Sequence, residues 1–167
     1  MDPGMELLHA CKKSAPQLEL IAEDLGDLGP EALQFVRTCG IPGMKVIGGS
    51  PSTPVGGAAP TCPHNCQRDS VIYTGTHDTP TFLQWLRETD PDSRLFASRY
   101  LRLRQDEGLG WGVISGAWAA PSRLAIAPLQ DVLGLGSDAR MNTPGTMGSQ
   151  NWELAGPSGG LQPLRLR

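Results

Sequence analysis

Short apolar runs alternate with helix-like stretches along this chain, and that alternation constrains the fold more than any other feature. Four runs rich in β-forming residues are predicted strands: 18–22, 44–47, 70–76 and 124–128. Strands separated by helices indicate a mostly parallel sheet with crossover connections, and hence an α/β protein. A closed (β/α)8 barrel needs eight strands and about 250 residues. With 167 residues, the chain is predicted to form a small open α/β domain or half of a barrel.

The first predicted helix covers residues 31–39, between Pro30 at its start and Gly40 just past its end. Three of its residues share one face at helical spacing: Ala32, Val36 and Cys39. A second helix has Pro80 in its first turn, and Asp78 or Thr79 can cap it. Its buried side is predicted to carry Phe82, Leu83 and Leu86.

Two more helices are predicted further along, over 92–106 and near 111–119. Ile114 and Trp118 are the expected anchors of the second of these. Asp131 can cap the short turn that follows the last predicted strand.

Glycine and proline divide the chain. Its 21 Gly and 15 Pro are not spread evenly, and two stretches rich in them, over 48–69 and from 156 onward, have no helical or strand period. We therefore expect a lead-in over 1–17, a main α/β region over 18–155 interrupted by the loop 48–69, and a disordered tail over 156–167.

The charge and hydropathy of the chain argue against several classes of partner. The net charge of −3 and a pI near 5.5 argue against binding nucleic acid or an anionic membrane. No apolar stretch approaches the roughly 20 residues that cross a bilayer, and the first residues lack the apolar centre of a secretory signal. We expect a soluble cytoplasmic protein, since nothing strongly resembles a transit peptide.

Two of the four cysteines have a spacing found in metal-binding sites. Cys62 and Cys66 flank His64 in the sequence CPHNC, but a structural zinc site needs a second ligand pair, and none follows. The sequence favours a surface loop with incidental cysteines, and a metal-binding loop is the alternative. No metal and no cofactor are predicted.

Two acidic motifs carry most of the functional information. Glu23 and Asp24 follow the first predicted strand, and His77 and Asp78 follow the third. In α/β folds, reactive groups lie at the carboxyl ends of parallel strands, so this placement predicts a carboxylate-based active site. The alternatives are ordinary: these acids can cap helices, and His77 can be structural.

The motifs together resemble a known family. IAEDLG, IPGMKVI, PHN, YTGTHD and SRLAIAPLQDVLGLGSDARMNTPGT occur in this order, with NW soon after. Over about residues 18–152 they resemble the C-terminal third of the 4-α-glucanotransferases, also called amylomaltases, of glycoside hydrolase family 77. The resemblance implies the C-terminal half of a (β/α)8 TIM barrel over 18–155. It also implies transfer of α-1,4-glucan segments between maltooligosaccharides with retention, and it leaves a plastid as the alternative location.

The resemblance also implies roles for four residues. Glu23 matches the general acid/base, and Asp78 matches the aspartate that holds the distorted sugar and stabilises the transition state. His77 matches a histidine that hydrogen-bonds the same sugar, and Asn142 matches a substrate contact, although a plain turn residue is the alternative. A retaining acid/base needs a raised pKa, which a nearby anion such as Asp24 or Asp78 can provide.

The family's nucleophile has no counterpart in these residues. It is an aspartate in an Arg-x-Asp-His motif upstream of the IAEDLG strand, and the 20 residues before Ile21 contain no such motif. We therefore expect the chain to be inactive alone and to self-associate through uncovered barrel edges. The alternatives are a non-catalytic α-glucan-binding remnant and a small α/β protein with a CPHNC metal loop.

Overall fold

The computed structural model describes residues 3–26, 28–48, 62–148 and 151–153. Within these ranges the chain forms three strands and six helices. The strands are β1 (Gly43–Val46), β2 (Ser70–Tyr73) and β3 (Leu124–Ile126). The helices are α1 (Pro3–Ser14), α2 (Pro30–Thr38), α3 (Phe82–Glu88), α4 (Pro91–Tyr100), α5 (Leu109–Trp118) and α6 (Leu129–Val132).

The three strands form one parallel sheet in the order β1-β2-β3. Their last residues align, because Val46 pairs with Tyr73 and Tyr73 pairs with Ile126. This confirms the predicted α/β class. The predicted strand over 18–22 is wrong in extent, since among its residues only Ala22 joins the sheet, through a single parallel bridge to Gly43.

The helices are near their predicted positions, with corrections at their ends. Helix α3 is capped by Thr81, whose hydroxyl accepts from Gln84 N at 3.2 Å, so the predicted caps Asp78 and Thr79 are wrong. Helix α4 ends at Tyr100, well short of residue 106. The backbone at Arg102 has a φ of 52°, which is incompatible with a continuing helix. Helix α1, inside the predicted lead-in, was missed.

The core lies between the sheet and helices α3 and α5. Ile72 and Val113 are fully buried, and Phe82 and Ile114 are 2% exposed. Trp118 is 66% exposed, so its predicted role as an anchor of α5 is wrong. On α2, Ala32 is also exposed, whereas Val36 is half-buried and Cys39 is buried.

Of the predicted Gly/Pro-rich loop, Gly48 and residues 62–69 are described, whereas residues 49–61 and the predicted tail lie outside the described residues. Cys62 and Cys66 flank a 3-10 turn (Pro63–Asn65) and are buried, so the expectation of a surface loop is wrong for both thiols. Burial raises the pKa of the Cys66 thiol. Among the described residues, no three His, Cys, Asp or Glu side chains form a group able to hold a metal ion.

None of the helices within the described ranges has the length and apolar character needed to span a bilayer.

Candidate active site

A loop over residues 75–81 leaves the carboxyl end of β2 and enters α3. Thr74 continues the sheet for one more bond, because its N–H donates to Ile126 O at 3.1 Å. Within the loop, Thr76 N donates to Thr79 Oγ1 at 2.8 Å, and the same hydroxyl donates to Thr76 O at 3.2 Å. These bonds form a compact turn that presents the two residues between them, His77 and Asp78, to solvent.

The predicted residues His77, Asp78 and Asn142 form one cluster. Asn142 Nδ2 donates to Asp78 Oδ1 at 2.6 Å, and Asn142 N donates to His77 O at 3.0 Å. His77 Nε2 lies 3.4 Å from Asp78 Oδ1, and both side chains are about half exposed. Asp78 Oδ1 is thus oriented by two neighbours, while the group keeps access to solvent and to a ligand.

Arg140 also holds this cluster together, through hydrogen bonds to two backbone carbonyl oxygens. The sequence did not predict this role. Arg140 Nη2 donates to Asp78 O at 3.0 Å and its Nε donates to Asn142 O at 2.9 Å. One guanidinium therefore ties together the two segments that carry Asp78 and Asn142. The only available signal was its position two residues before Asn142 in the RMNTPG motif.

Trp152 adds an aromatic surface beside the imidazole. Its ring centroid lies 5.2 Å from that of His77, and the residue is 63% exposed. Its backbone has a φ of 66°, uncommon for a bulky residue, and its N–H donates to Met141 O at 2.7 Å. An exposed indole next to hydrogen-bonding groups is suited to contact the apolar face of a polar ligand.

The predicted capping role of Asp131 is wrong. The residue lies inside α6 and is 2% exposed, and its carboxylate points to the loop over 75–81. Thr74 Oγ1 donates to Oδ2 at 2.6 Å, and Phe82 N donates to Oδ1 at 2.8 Å. The carboxylate therefore bridges the two residues that flank this loop.

Glu23 is not part of the Asp78 cluster in this structure. It is exposed, and its side chain makes no hydrogen bond or ion pair with any residue in the described ranges. Its neighbour Asp24 accepts from Met44 N at 2.6 Å and from Lys45 Nζ at 3.3 Å. Lys45 therefore compensates the charge of Asp24.

A polar cleft of about 890 Å³ is lined in part by Arg140, which also contacts the cluster. Its walls carry hydroxyl, amide and carboxylate groups from α3 and from the segment over 137–153: Gln84, Ser137, Asp138, Thr143, Thr146, Asn151 and Glu153. The cleft and the cluster together offer side chains that donate hydrogen bonds and side chains that accept them.

The fold and the cluster define a class of protein. The domain has a parallel sheet, and a carboxylate, an imidazole and an amide lie together beyond the carboxyl end of one strand. This arrangement is typical of α/β domains that bind polar ligands at that edge of the sheet. Comparisons with known proteins narrow the class to a family. The sequence model of glycoside hydrolase family 77, described as 4-alpha-glucanotransferase, matches residues 1–156. The chain therefore belongs to the 4-alpha-glucanotransferase family.

Individual relatives agree with this family. The 4-alpha-glucanotransferase of Clostridium butyricum is 41% identical over 155 residues, covering 90% of this chain and 30% of the relative. The chloroplastic/amyloplastic 4-alpha-glucanotransferase of Arabidopsis thaliana is 37% identical over 155 residues, covering 91% of this chain and 26% of the relative. The chain thus spans less than a third of the length of either relative.

A solved structure has the same fold. The amylomaltase from Streptococcus agalactiae, solved in complex with acarbose, superposes with a TM-score of 0.79 at 32% sequence identity. The similarity covers 90% of this chain and 30% of the amylomaltase.

Proposed function

We propose that this chain forms the C-terminal side of a 4-α-glucanotransferase active site, which moves α-1,4-glucan segments between maltooligosaccharides. The observation that carries the proposal is the cluster of Asp78, His77 and Asn142 beyond β2, in a chain of this family. In the proposal, the two oxygens of Asp78 accept from hydroxyl groups of the sugar at the bond to be broken. The imidazole of His77 and the indole of Trp152 border the same sugar.

The proposed reaction is a double displacement with retention. A nucleophilic carboxylate attacks the anomeric carbon while the Glu23 carboxyl gives its proton to the departing glycosidic oxygen. The bond to the first glucan breaks, and a covalent glycosyl-enzyme forms. The 4-hydroxyl of an acceptor glucan then loses its proton to Glu23 and attacks the same carbon, which releases the nucleophile and forms a new α-1,4 bond.

We infer that the nucleophile comes from sequence outside these 167 residues, since none of them lies in an Arg-x-Asp-His motif. Residues 18–155 would form part of a (β/α)8 barrel, in which further strands continue the parallel sheet. In a continued sheet, the exposed Glu23 carboxyl would face those strands rather than solvent. A cytoplasmic location, with a plastid as the alternative, stays a prediction.

A hybrid enzyme tests the proposal. The aligned segment of the Clostridium butyricum 4-alpha-glucanotransferase is replaced by this chain, and maltotriose is the substrate. We expect glucose and longer maltodextrins by chromatography, and a loss of at least about 100-fold in rate for Glu23→Gln and for Asp78→Asn. Glu88→Gln, at the exposed end of α3, is the matched control and should keep the rate. A folded hybrid without transfer products, or full activity in Glu23→Gln, would contradict the proposal.

A non-catalytic α-glucan-binding role is the second candidate, favoured by the absence of the nucleophile motif from these 167 residues. The chain alone is titrated with acarbose and maltotriose by calorimetry, and the mixtures are assayed for products. Binding without turnover by the chain, together with an inactive but folded hybrid, supports this role. Glucose and longer maltodextrins from the chain alone would refute both this role and the assignment of the nucleophile to other sequence.

A further inference from the structure

We propose that Asp131 is a positioning residue that fixes both ends of the loop over 75–81 and so holds His77 and Asp78 in place. The inference rests on the proposed function, because it concerns the loop that would hold the sugar. Thr74 directly precedes this loop and Phe82 directly follows it, and each donates a hydrogen bond to a different oxygen of Asp131. One carboxylate therefore sets the distance between the two ends of a seven-residue loop.

The backbone that carries Asp131 is itself fixed. Its N–H donates to Pro128 O at 3.0 Å, and its carbonyl accepts from Gly134 N at 3.2 Å. Helix α5 packs directly against it, because a Cβ added at Gly110 would collide with the carbonyl oxygen of Asp131. The carboxylate thus projects from packed, hydrogen-bonded backbone in the interior, as a residue that orients a functional loop must.

Asp131 is buried, so the loss of either of its two hydrogen bonds leaves a buried donor without a partner. Phe82 is the first residue of α3, so its N–H has no partner within the helix. Thr74 is 2% exposed, and water cannot replace the bond from its hydroxyl. Loss of the Asp131 carboxylate therefore leaves two buried donors unpaired, which favours opening of the loop. Beyond the loop's own turn, its remaining hydrogen bonds in the described part of the chain are those from Arg140 and Asn142 and the bonds that Thr81 accepts at the start of α3.

Nuclear magnetic resonance of the full chain tests the proposal without any sugar. The first readout is the side-chain amide of Asn142, whose proton signal should be shifted by its 2.6 Å bond to Asp78. The second is backbone amide exchange over residues 76–79. In Asp131→Ala we expect the Asn142 shift to be lost and exchange in the loop to rise about tenfold or more, while amides of β2 keep their rates.

Asp131→Asn is the rescue variant. Its Oδ1 can still accept from Phe82 N, and its Nδ2 can donate to the Thr74 hydroxyl, which then acts as acceptor. We expect it to keep the Asn142 signal and slow loop exchange. Asp92→Ala removes an exposed carboxylate from the first turn of α4, outside the cluster and the cleft, and should change neither readout.

Thr74→Val decides the matter if Asp131→Ala fails to fold, because it removes one hydroxyl and conserves the branched shape. A rise in exchange confined to residues 76–79 supports the proposal, and unchanged exchange overturns it. An unchanged Asn142 signal in folded Asp131→Ala, or an Asp131→Asn variant that behaves like it, also overturns the proposal. Failure of the hybrid enzyme to transfer glucan would contradict the proposed function alone, since these readouts involve no ligand.

Discussion

Gly43 is the residue that allows the acidic segment around Glu23 to approach β1. A Cβ added at this position would come within 2.7 Å of Asp24 Cγ, so a side chain must displace Asp24 from Met44 N and Lys45. We expect Gly43→Ala to lower the free energy of unfolding by about 1–3 kcal/mol in urea titrations. Gly148→Ala is the control, because a Cβ there meets no atom within 4 Å. Equal stability of the two variants would contradict this account.

Single residues also show what the sequence could predict about the candidate site. His77 and Asp78 were predictable because they directly follow a run of β-forming residues. The sequence predicted a helix cap at Asp131, and this was wrong because the partners of its carboxylate, Thr74 and Phe82, lie 57 and 49 positions away in the sequence. Arg140 was missed for a similar reason, since it binds carbonyl oxygens, which any residue type can supply.

Helix α4 shows, at the scale of elements, how a local signal sets one helix end. Asp90 caps its start, and Ser93 N donates to Asp90 Oδ1 at 2.9 Å. Bonds from the Ser93 side chain and backbone lower the pKa of Asp90 below its ordinary value of 3.8. Because the folded pKa is the lower one, the ionised cap stabilises the protein above about pH 4. That stabilisation is lost as the pH falls through the folded pKa.

The pH dependence of Asp90→Asn tests this cap. Asparagine can still accept from Ser93 N but carries no charge, so we expect the wild-type chain to have the higher Tm at pH 7. The difference should shrink at pH 3 and below, as measured by circular dichroism melts of both proteins. A difference that stays constant between pH 7 and pH 2 would contradict the assignment.

The elements also show where local patterns stop being informative. Pro30 and Gly40 marked α2 to within a residue because both signals act on the backbone directly. The apolar run over 18–22 predicted a full strand, yet it contributes only the bridge at Ala22. Pairing depends on a neighbouring strand, and two residues after Ala22 the chain contacts β1 through the Asp24 side chain instead, which binds Met44 N and Lys45 Nζ.

The whole molecule presents an open sheet edge. Within the described residues β3 pairs with β2 alone, and its first residue, Leu124, is 47% exposed. Other large apolar side chains near the amino ends of the strands are also exposed, namely Leu18 at 55% and Ile21 at 43%. An unpaired strand edge with apolar neighbours can pair with another chain.

We therefore expect the 167-residue chain to self-associate through this edge, with sedimentation coefficients that rise with concentration in the micromolar range. Leu124→Lys should reduce the association, because a lysine on an edge strand opposes pairing with a second edge. Leu95→Lys is the matched control: Leu95 is 49% exposed but lies on α4, away from the sheet. If both variants associate like the wild type, the contact involves another surface. If the wild-type chain stays monomeric at all concentrations, the prediction is wrong, and the result counts against an uncovered half-barrel edge.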